Sequence, residues 1–382
     1  MNADNQPDLT GGLEAGILPA IIVAAYNRPK ALERLLASLA NAQYPPGLSI
    51  PLHITIDRDG DPNVLRIADA FHWEFGEKHV VYQPEHLGLL KHFYVCGELT
   101  ERYGAIILLE DDLAVSPAFY AYTSKALSFY AEEPRIAGIS LYALWFNGYT
   151  HFPFVPLPDD SDVFFLQIPY TQGQAFTRTQ WRRFSTWLAA ADRRLSPADL
   201  IHPMFLHFDA EEWFPIRTKY LVESQSFYVF PRESLTTGYG DTGAHFTTAS
   251  SYFQTPLQRF KTSHRLKPLE ASLAVYDSFF EILPECLERL TSRLNDFVYQ
   301  VDLYGEKPGC LLRRIHHDGY VLTSKPCRAP LLSFGKQTWP IETNVVDGIP
   351  GSEISLCRLA DIKEGWLPRL VVEQSNHAYF SR

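Results

Sequence analysis

Ala105-Ile106-Ile107-Leu108-Leu109-Glu110-Asp111-Asp112-Leu113 decides how this chain is read. Five consecutive apolar residues without polar alternation predict a strand buried on both faces, the kind found inside a parallel sheet. Three carboxylates follow at once. Side by side at the end of a buried strand they repel one another, so something must compensate them. A hard divalent cation with oxygen ligands is one solution, since Mg2+ or Mn2+ commonly takes one or two carboxylates and completes its shell with a diphosphate. An acidic helix N-terminus is the other, with Asp112 capping a helix that begins near Pro117.

Toward the N-terminus the same pattern repeats. Pro19–Ala25 is an apolar run that ends at Tyr26-Asn27-Arg28-Pro29, and Leu32, Leu35, Leu36 and Leu39 then fall at helical spacing. Tyr44-Pro45-Pro46-Gly47 stops that helix. Leu52–Ile56 predicts a second strand, ending at Asp57-Arg58-Asp59-Gly60, and a helix follows to about Phe75. Val80-Val81-Tyr82 predicts a third strand, and 87–103 another helix. Strand and helix alternate, which predicts an α/β fold with a Rossmann-like, mostly parallel sheet flanked by helices. Ligands in such sheets sit at the carboxyl ends of the strands. Three of those ends carry Asn27-Arg28, Asp57 and Glu110-Asp111-Asp112.

Toward the C-terminus, 119–133 predicts a helix, 135–141 a strand, and 145–162 a loop rich in Pro and aromatics. Gly173-Gln174-Ala175-Phe176 leads into a helix over 180–190. Beyond 256 the character changes. Segments 269–279 and 283–297 predict helices, with Pro284 in a first turn, and short β-like runs punctuated by Gly and Pro follow from about 310. The expected organisation is a lead-in over 1–18, a main α/β domain over 19–255, and a smaller α+β appendage over 256–382.

Composition bounds the partners. The chain has 382 residues, 46% hydrophobic and 20% charged, with a net charge of −10. No basic run interleaves with aromatics, so nucleic acid is not an expected partner. A phosphate-bearing ligand stays compatible, because a bound cation can supply the positive charge. Aromatics reach 14%; their faces suit sugar rings, and equally an aromatic core. The five cysteines are scattered without a C-x-x-C pair, which fits a reducing cytoplasm. No signal peptide and no transmembrane span are expected, and nothing demands peripheral membrane contact. P-loop, dinucleotide and G-x-S-x-G motifs are all lacking.

The order strand-Asn27-Arg28, strand-Asp57, strand-Glu110-Asp111-Asp112 resembles glycosyltransferases of the GT-A fold. In particular it is similar to the inverting N-acetylglucosaminyltransferase I family, whose acidic motif is also Glu-Asp-Asp. The likeness runs from about Pro19 to Phe246. It implies metal binding by Asp112, donor contacts from Glu110 and Asp111, and nucleotide contacts from Asn27, Arg28 and Asp57. For Arg28 a helix-start salt bridge, and for Asp57 a plain turn role, are the alternatives. Gly88-Leu89-Leu90-Lys91 resembles the family's helix start beside the donor; Lys91 either approaches a phosphate or is simply solvated. An inverting transfer needs a carboxylate base. The family has Asp-Asp before a Trp where this chain has Glu211-Glu212-Trp213, so Glu211 is the first candidate and Glu212 the second. His245, in the glycine-bearing stretch 238–246, would contact the metal or the diphosphate. His53, His86, His202 and His207 are read as core or surface residues.

The resemblance implies transfer of a sugar from a nucleotide-sugar, UDP by analogy alone, to a glycan or glycolipid acceptor with Mn2+ or Mg2+. The lack of a secretion signal and of a Golgi-type membrane anchor favours a bacterial cytoplasmic enzyme of polysaccharide biosynthesis, acting on a cell-surface glycan precursor at the inner face of the membrane. A non-catalytic nucleotide-sugar- or glycan-binding module is the alternative.

Overall fold

The computed structural model describes residues 16–209, 212–242, 251, 253–315 and 319–363. Strands and helices alternate through the first half: β1 (Ala20–Ala25), α1 (Pro29–Ala40), β2 (Leu52–Ile56), α2 (Pro62–Ala70), β3 (Lys78–Tyr82), α3 (Gly88–Glu98), α4 (Thr100–Tyr103) and β4 (Ala105–Glu110). Then come β5 (Leu113–Val115), α5 (Phe119–Phe129), β6 (Ile136–Ser140), β7 (Val163–Leu166), β8 (Gln174–Thr177), α6 (Arg178–Ala190), α7 (Trp213–Glu223), β9 (Phe227–Pro231) and β10 (Thr236–Gly238). The last part holds β11 (Val275–Tyr276), α8 (Pro284–Glu288), β12 (Tyr299–Asp302), α9 (Gly309–Ile315), β13 (Tyr320–Thr323), β14 (Leu332–Phe334), α10 (Thr343–Val346) and β15 (Ile354–Arg358).

The main sheet has nine strands in the order β11-β7-β9-β6-β8-β4-β1-β2-β3. The run β4-β1-β2-β3 is parallel, β8 is antiparallel to both β4 and β6, and β9 runs parallel to β6. The carboxyl ends of β1, β2, β3, β4, β6 and β9 therefore share one edge. Helices flank the sheet, and a smaller four-stranded sheet, β12-β13-β15-β14, follows. This is the predicted α/β architecture. Its central strands are apolar throughout because both faces are covered, as Ile21, Ile22, Val23, Ile106 and Ile107 are fully buried.

Two local expectations differ from the structure. The segments 269–279 and 283–297 are not long helices: they hold a 3-10 turn at Leu269–Ala271, strand β11, one-turn α8 and a 3-10 turn at Ser292–Leu294. Ala274, Val275, Tyr276 and Ile282 are buried on extended chain, with Leu269 and Phe280 buried in the turns beside them, and β11 pairs with β7 at the sheet edge. A segment buried all round shows no periodic polar face, so apolar spacing misleads there. Pro284 does open α8. The second difference concerns Asp112, which caps no helix: β5 begins at the next residue, and the residue before α5, Ala118, has no side-chain cap.

Candidate functional site

From β1 the chain moves outward to β2 and β3, then returns to place β4 on the other side of β1. The crevice at the carboxyl ends of β1 and β4 is thus the point where strand order reverses, where ligands of open α/β sheets bind. The register sets Ala24 beside Glu110. Tyr26-Asn27-Arg28 therefore leaves β1 level with the acidic run, and Tyr26 N donates to Asp111 Oδ2 at 3.3 Å.

Arg28 precedes Pro29, the first residue of α1, and makes no cap bond itself. Its guanidinium reaches across the crevice instead. Nε donates to Asp111 Oδ1 at 2.9 Å, Nη2 lies 2.6 Å from the same oxygen, and Nη1 lies 2.6 Å from Asp112 Oδ2. The compensation the carboxylates require thus comes from the chain's own arginine. The predicted helix-start salt bridge is present, and its partner is the acidic run.

That compensation is partial. Asp111 is 3% exposed at its side chain, and burial pushes its carboxyl up to about 6 against the opposing pull of Arg28. Glu110 is pushed up to about 8, by burial first and then by Asp112, while Arg28 pulls it down and Asp111 and Glu212 add to the rise. Burial and the neighbouring carboxylates thus favour the protonated form of Glu110, which can donate a hydrogen bond. Among the described residues its carboxyl makes no hydrogen bond.

The structure brings Glu212 to this group: it directly precedes α7, close enough for its charge to act on Glu110. Glu211 and His245 lie outside the described residues. Asp57 stands at the neighbouring strand end, 3% exposed. Its oxygens accept from Arg58 N (2.8 Å), Leu87 N (2.7 Å) and Gly88 N (3.0 Å), with His86 Nδ1 at 3.1 Å. Asp57 thereby clips the start of α3 to the end of β2. Gly60 completes this corner, since a Cβ there would fall 2.0 Å from the Tyr26 carbonyl oxygen. Asn27 is exposed in the turn after β1, and Lys91 is exposed on α3.

Behind Glu110 lies a cavity of about 30 Å³, between the sheet face and the helices α3 and α7. Leu108 and Glu110, two residues apart on β4, share that face. Gln174 of β8, His92 and Phe93 of α3 and Trp213 of α7 close it, with Phe93 and Trp213 stacked at 4.1 Å and 4°. His92 meets Thr55 Oγ1 at 3.0 Å, and burial lowers its imidazole below the usual histidine range. Gln174, His92 and His86 were not among the predicted site residues. Gln174 sits in a segment whose sequence marks only a helix approach, and nothing in the sequence places His92 behind Glu110.

On the far side, β5 pairs with β10 and Tyr239 N donates to Asp112 O at 3.3 Å. Arg34 of α1 pairs with Asp241 and lies 4.4 Å from the Tyr239 ring centroid, so the start of the glycine-bearing loop is tied to α1. Among the described residues, no group of three or more His, Cys, Asp or Glu side chains is arranged to hold a metal ion, and no helix is long and apolar enough to cross a membrane.

No family model matches the chain, and no curated protein matches it in sequence. Solved structures show distant likenesses. TarS from S. aureus, residues 1–349 in complex with UDP-GlcNAc, is similar at 12% identity over 60% of this chain and 61% of that one, with a TM-score of 0.38. GalNAc-T7 with UDP, GalNAc and Mn2+ is similar at 11% identity over 57% and 43%, with a TM-score of 0.40. The mannosyltransferase PcManGT from Pyrobaculum calidifontis, in complex with GDP-Man and Mn2+, is similar at 13% identity over 44% and 46%, with a TM-score of 0.31. Each match spans less than two thirds of the other chain. Likenesses this distant assign no activity, ligand or partner.

Proposed function

We propose that this chain is a GT-A-type glycosyltransferase that moves a sugar from a nucleotide-sugar to a glycan or glycolipid acceptor. One observation carries the proposal. At the reversal point of the sheet, Arg28, Glu110, Asp111 and Asp112 converge with Glu212 beside a cavity, and their charges are only partly compensated within the protein. The order of these motifs, similar to the N-acetylglucosaminyltransferase I family, supports inversion and a UDP donor.

The acidic run suits Mn2+ or Mg2+. Its donors are hard carboxylate oxygens, and Asp112 is reachable with a side chain 23% exposed. With no fuller ligand cluster among the described residues, the remaining ligands would be diphosphate oxygens and water, as such cations accept. Asp112 would hold the ion, with His245 a second candidate. When bound, the cation supplies charge neutralisation for the departing nucleoside diphosphate. Arg28 orients Asp111 and Asp112 and supplies a fixed positive charge beside them. Glu110, protonated, donates to the sugar or accepts from it. Glu212, directly before α7, or its sequence neighbour Glu211 takes the proton of the attacking acceptor hydroxyl. Asp57 shapes the nucleotide end by holding the α3 entrance, and Asn27 and Lys91 are exposed beside it. A place in bacterial polysaccharide assembly, at the cytoplasmic face of the membrane, fits this chemistry.

The test is release of nucleoside diphosphate from a panel of uridine and guanosine nucleotide-sugars, with and without glycan acceptors. Metal-dependent release from one donor is expected, with the product's anomeric configuration by NMR reporting inversion. Donor binding without turnover across all acceptors would favour the non-catalytic module instead.

A further inference from the structure

We infer that Gln174 is a donor-sugar contact whose amide nitrogen, facing the cavity behind Glu110, donates a hydrogen bond to an oxygen of the transferred sugar. This rests on the donor-site assignment above. Gln174 is 2% exposed on β8 and lines the cavity. Its Oε1 accepts from the Tyr228 hydroxyl at 2.9 Å. With the Tyr228 hydroxyl donating to the oxygen, the nitrogen is the other end of the amide. Among the described residues Nε2 has no hydrogen-bond partner. The nitrogen borders the cavity with no protein acceptor, so an acceptor oxygen of a ligand seated there would complete its hydrogen bonding.

The surroundings hold that orientation. Tyr228 is fully buried on β9, and its ring fits because β6 carries Gly138, where a Cβ would stand 2.7 Å from Tyr228 Cζ. The Arg217 guanidinium, itself fully buried among aromatic rings, lies 5.7 Å from the Tyr228 ring centroid. A cation there strengthens the hydroxyl as a donor toward Gln174. The cavity admits a group of one or two heavy atoms and no whole pyranose, since one water needs about 10–15 Å³ of such space. The expected ligand part is a substituent of the sugar, presenting its oxygen to Gln174 and Glu110 and its carbon to Phe93 and Leu108.

Calorimetry on the full chain with Mn2+ tests this, using UDP-glucose, UDP-N-acetylglucosamine and GDP-mannose against UDP and GDP. Gln174→Met should weaken the bound nucleotide-sugar about tenfold, as loss of one such bond implies, and leave the matching nucleoside diphosphate within about twofold. Leu89→Trp, which fills the cavity from an exposed position on α3, should give the same split with Gln174 intact. It serves if the first variant does not fold. Equal losses for sugar-bearing and sugar-free ligands, or no loss for either, would overturn the role of Gln174 while leaving the donor site standing. A wild-type chain that binds none of the five would overturn both.

Discussion

Two carboxylates in this molecule, Asp159 and Glu110, have opposite fates. Asp159, in the loop that leads to β7, has a fully buried side chain. Burial alone would raise its carboxyl, yet hydrogen bonds from Ser161, Ser272 and Leu273 N, with Arg232 at 3.1 Å, bring it down to about 2. Glu110, at the end of β4, has no such donors and rises to about 8. A carboxylate whose lone pairs are satisfied by its own chain is part of the scaffold: Asp159 fastens the approach to β7 to the segment before β11. One left without donors in a cleft, beside two more carboxylates, is poised for something the chain does not itself contain.

Removing Asp159 should have the largest effect. Asp159→Ala leaves Arg232 and several buried donors without an acceptor and should cost about 3–5 kcal/mol of folding stability at pH 7, read from denaturant midpoints. A cost below about 1 kcal/mol would end the contrast from the structural side. The pH dependence has a definite sign. Between 3.8 and about 2 the unfolded chain binds more protons at this position than the folded one. Asp159's stabilisation is therefore complete above 3.8 and is lost as pH falls through about 2.

The functional carboxylates should behave in the converse way. Either Glu211→Gln or Glu212→Gln should lower turnover about 10²–10⁴-fold with folding stability unchanged within about 0.5 kcal/mol. If both variants keep wild-type turnover, the base lies elsewhere. A smaller effect belongs to Glu110. Its folded carboxyl holds a proton up to about 8, whereas the unfolded one releases it near 4.5. Stability is therefore full below 4.5 and is lost as pH rises through about 8. Glu110→Gln should remove that slope, making the variant more stable than wild type at about pH 6 by on the order of 2 kcal/mol and equal to it at about pH 4. Equal stability at both pH values would mean that Glu110 ionises like an exposed carboxylate. Arg34→Ala, which unties the loop after β10, should cost least, under about 1 kcal/mol for a half-exposed ion pair.

The sequence carried the β4-β1-β2-β3 half of the sheet well, because parallel strands covered on both faces stand out as unbroken apolar runs: Ala20–Ala25, Leu52–Ile56 and Ala105–Glu110 match their predicted positions closely. The other half was largely hidden. β7, β8 and β9 are four- or five-residue strands in aromatic-rich surroundings, where short apolar runs do not separate strand from helix. At the site, spacing alone suggested that Arg28 and Asp111-Asp112 share an edge, and they touch. Gln174 was invisible, because its role depends on Tyr228 and Glu110, 54 and 64 residues away, meeting through sheet order. Asp57 looked like a turn residue or a nucleotide ligand. Its hydrogen bonds to Leu87 N and Gly88 N show it fastening two loops.

The most direct test is the affinity of the full chain for UDP and GDP, measured by calorimetry with Mn2+ and with EDTA, for wild type and for Asp112→Ala. The account predicts that one of the two nucleotides binds at least about tenfold tighter with the metal, and that Asp112→Ala erases the difference, as expected when carboxylate and diphosphate share one cation. A metal advantage that survives in Asp112→Ala, or no nucleotide binding under either condition, would contradict it.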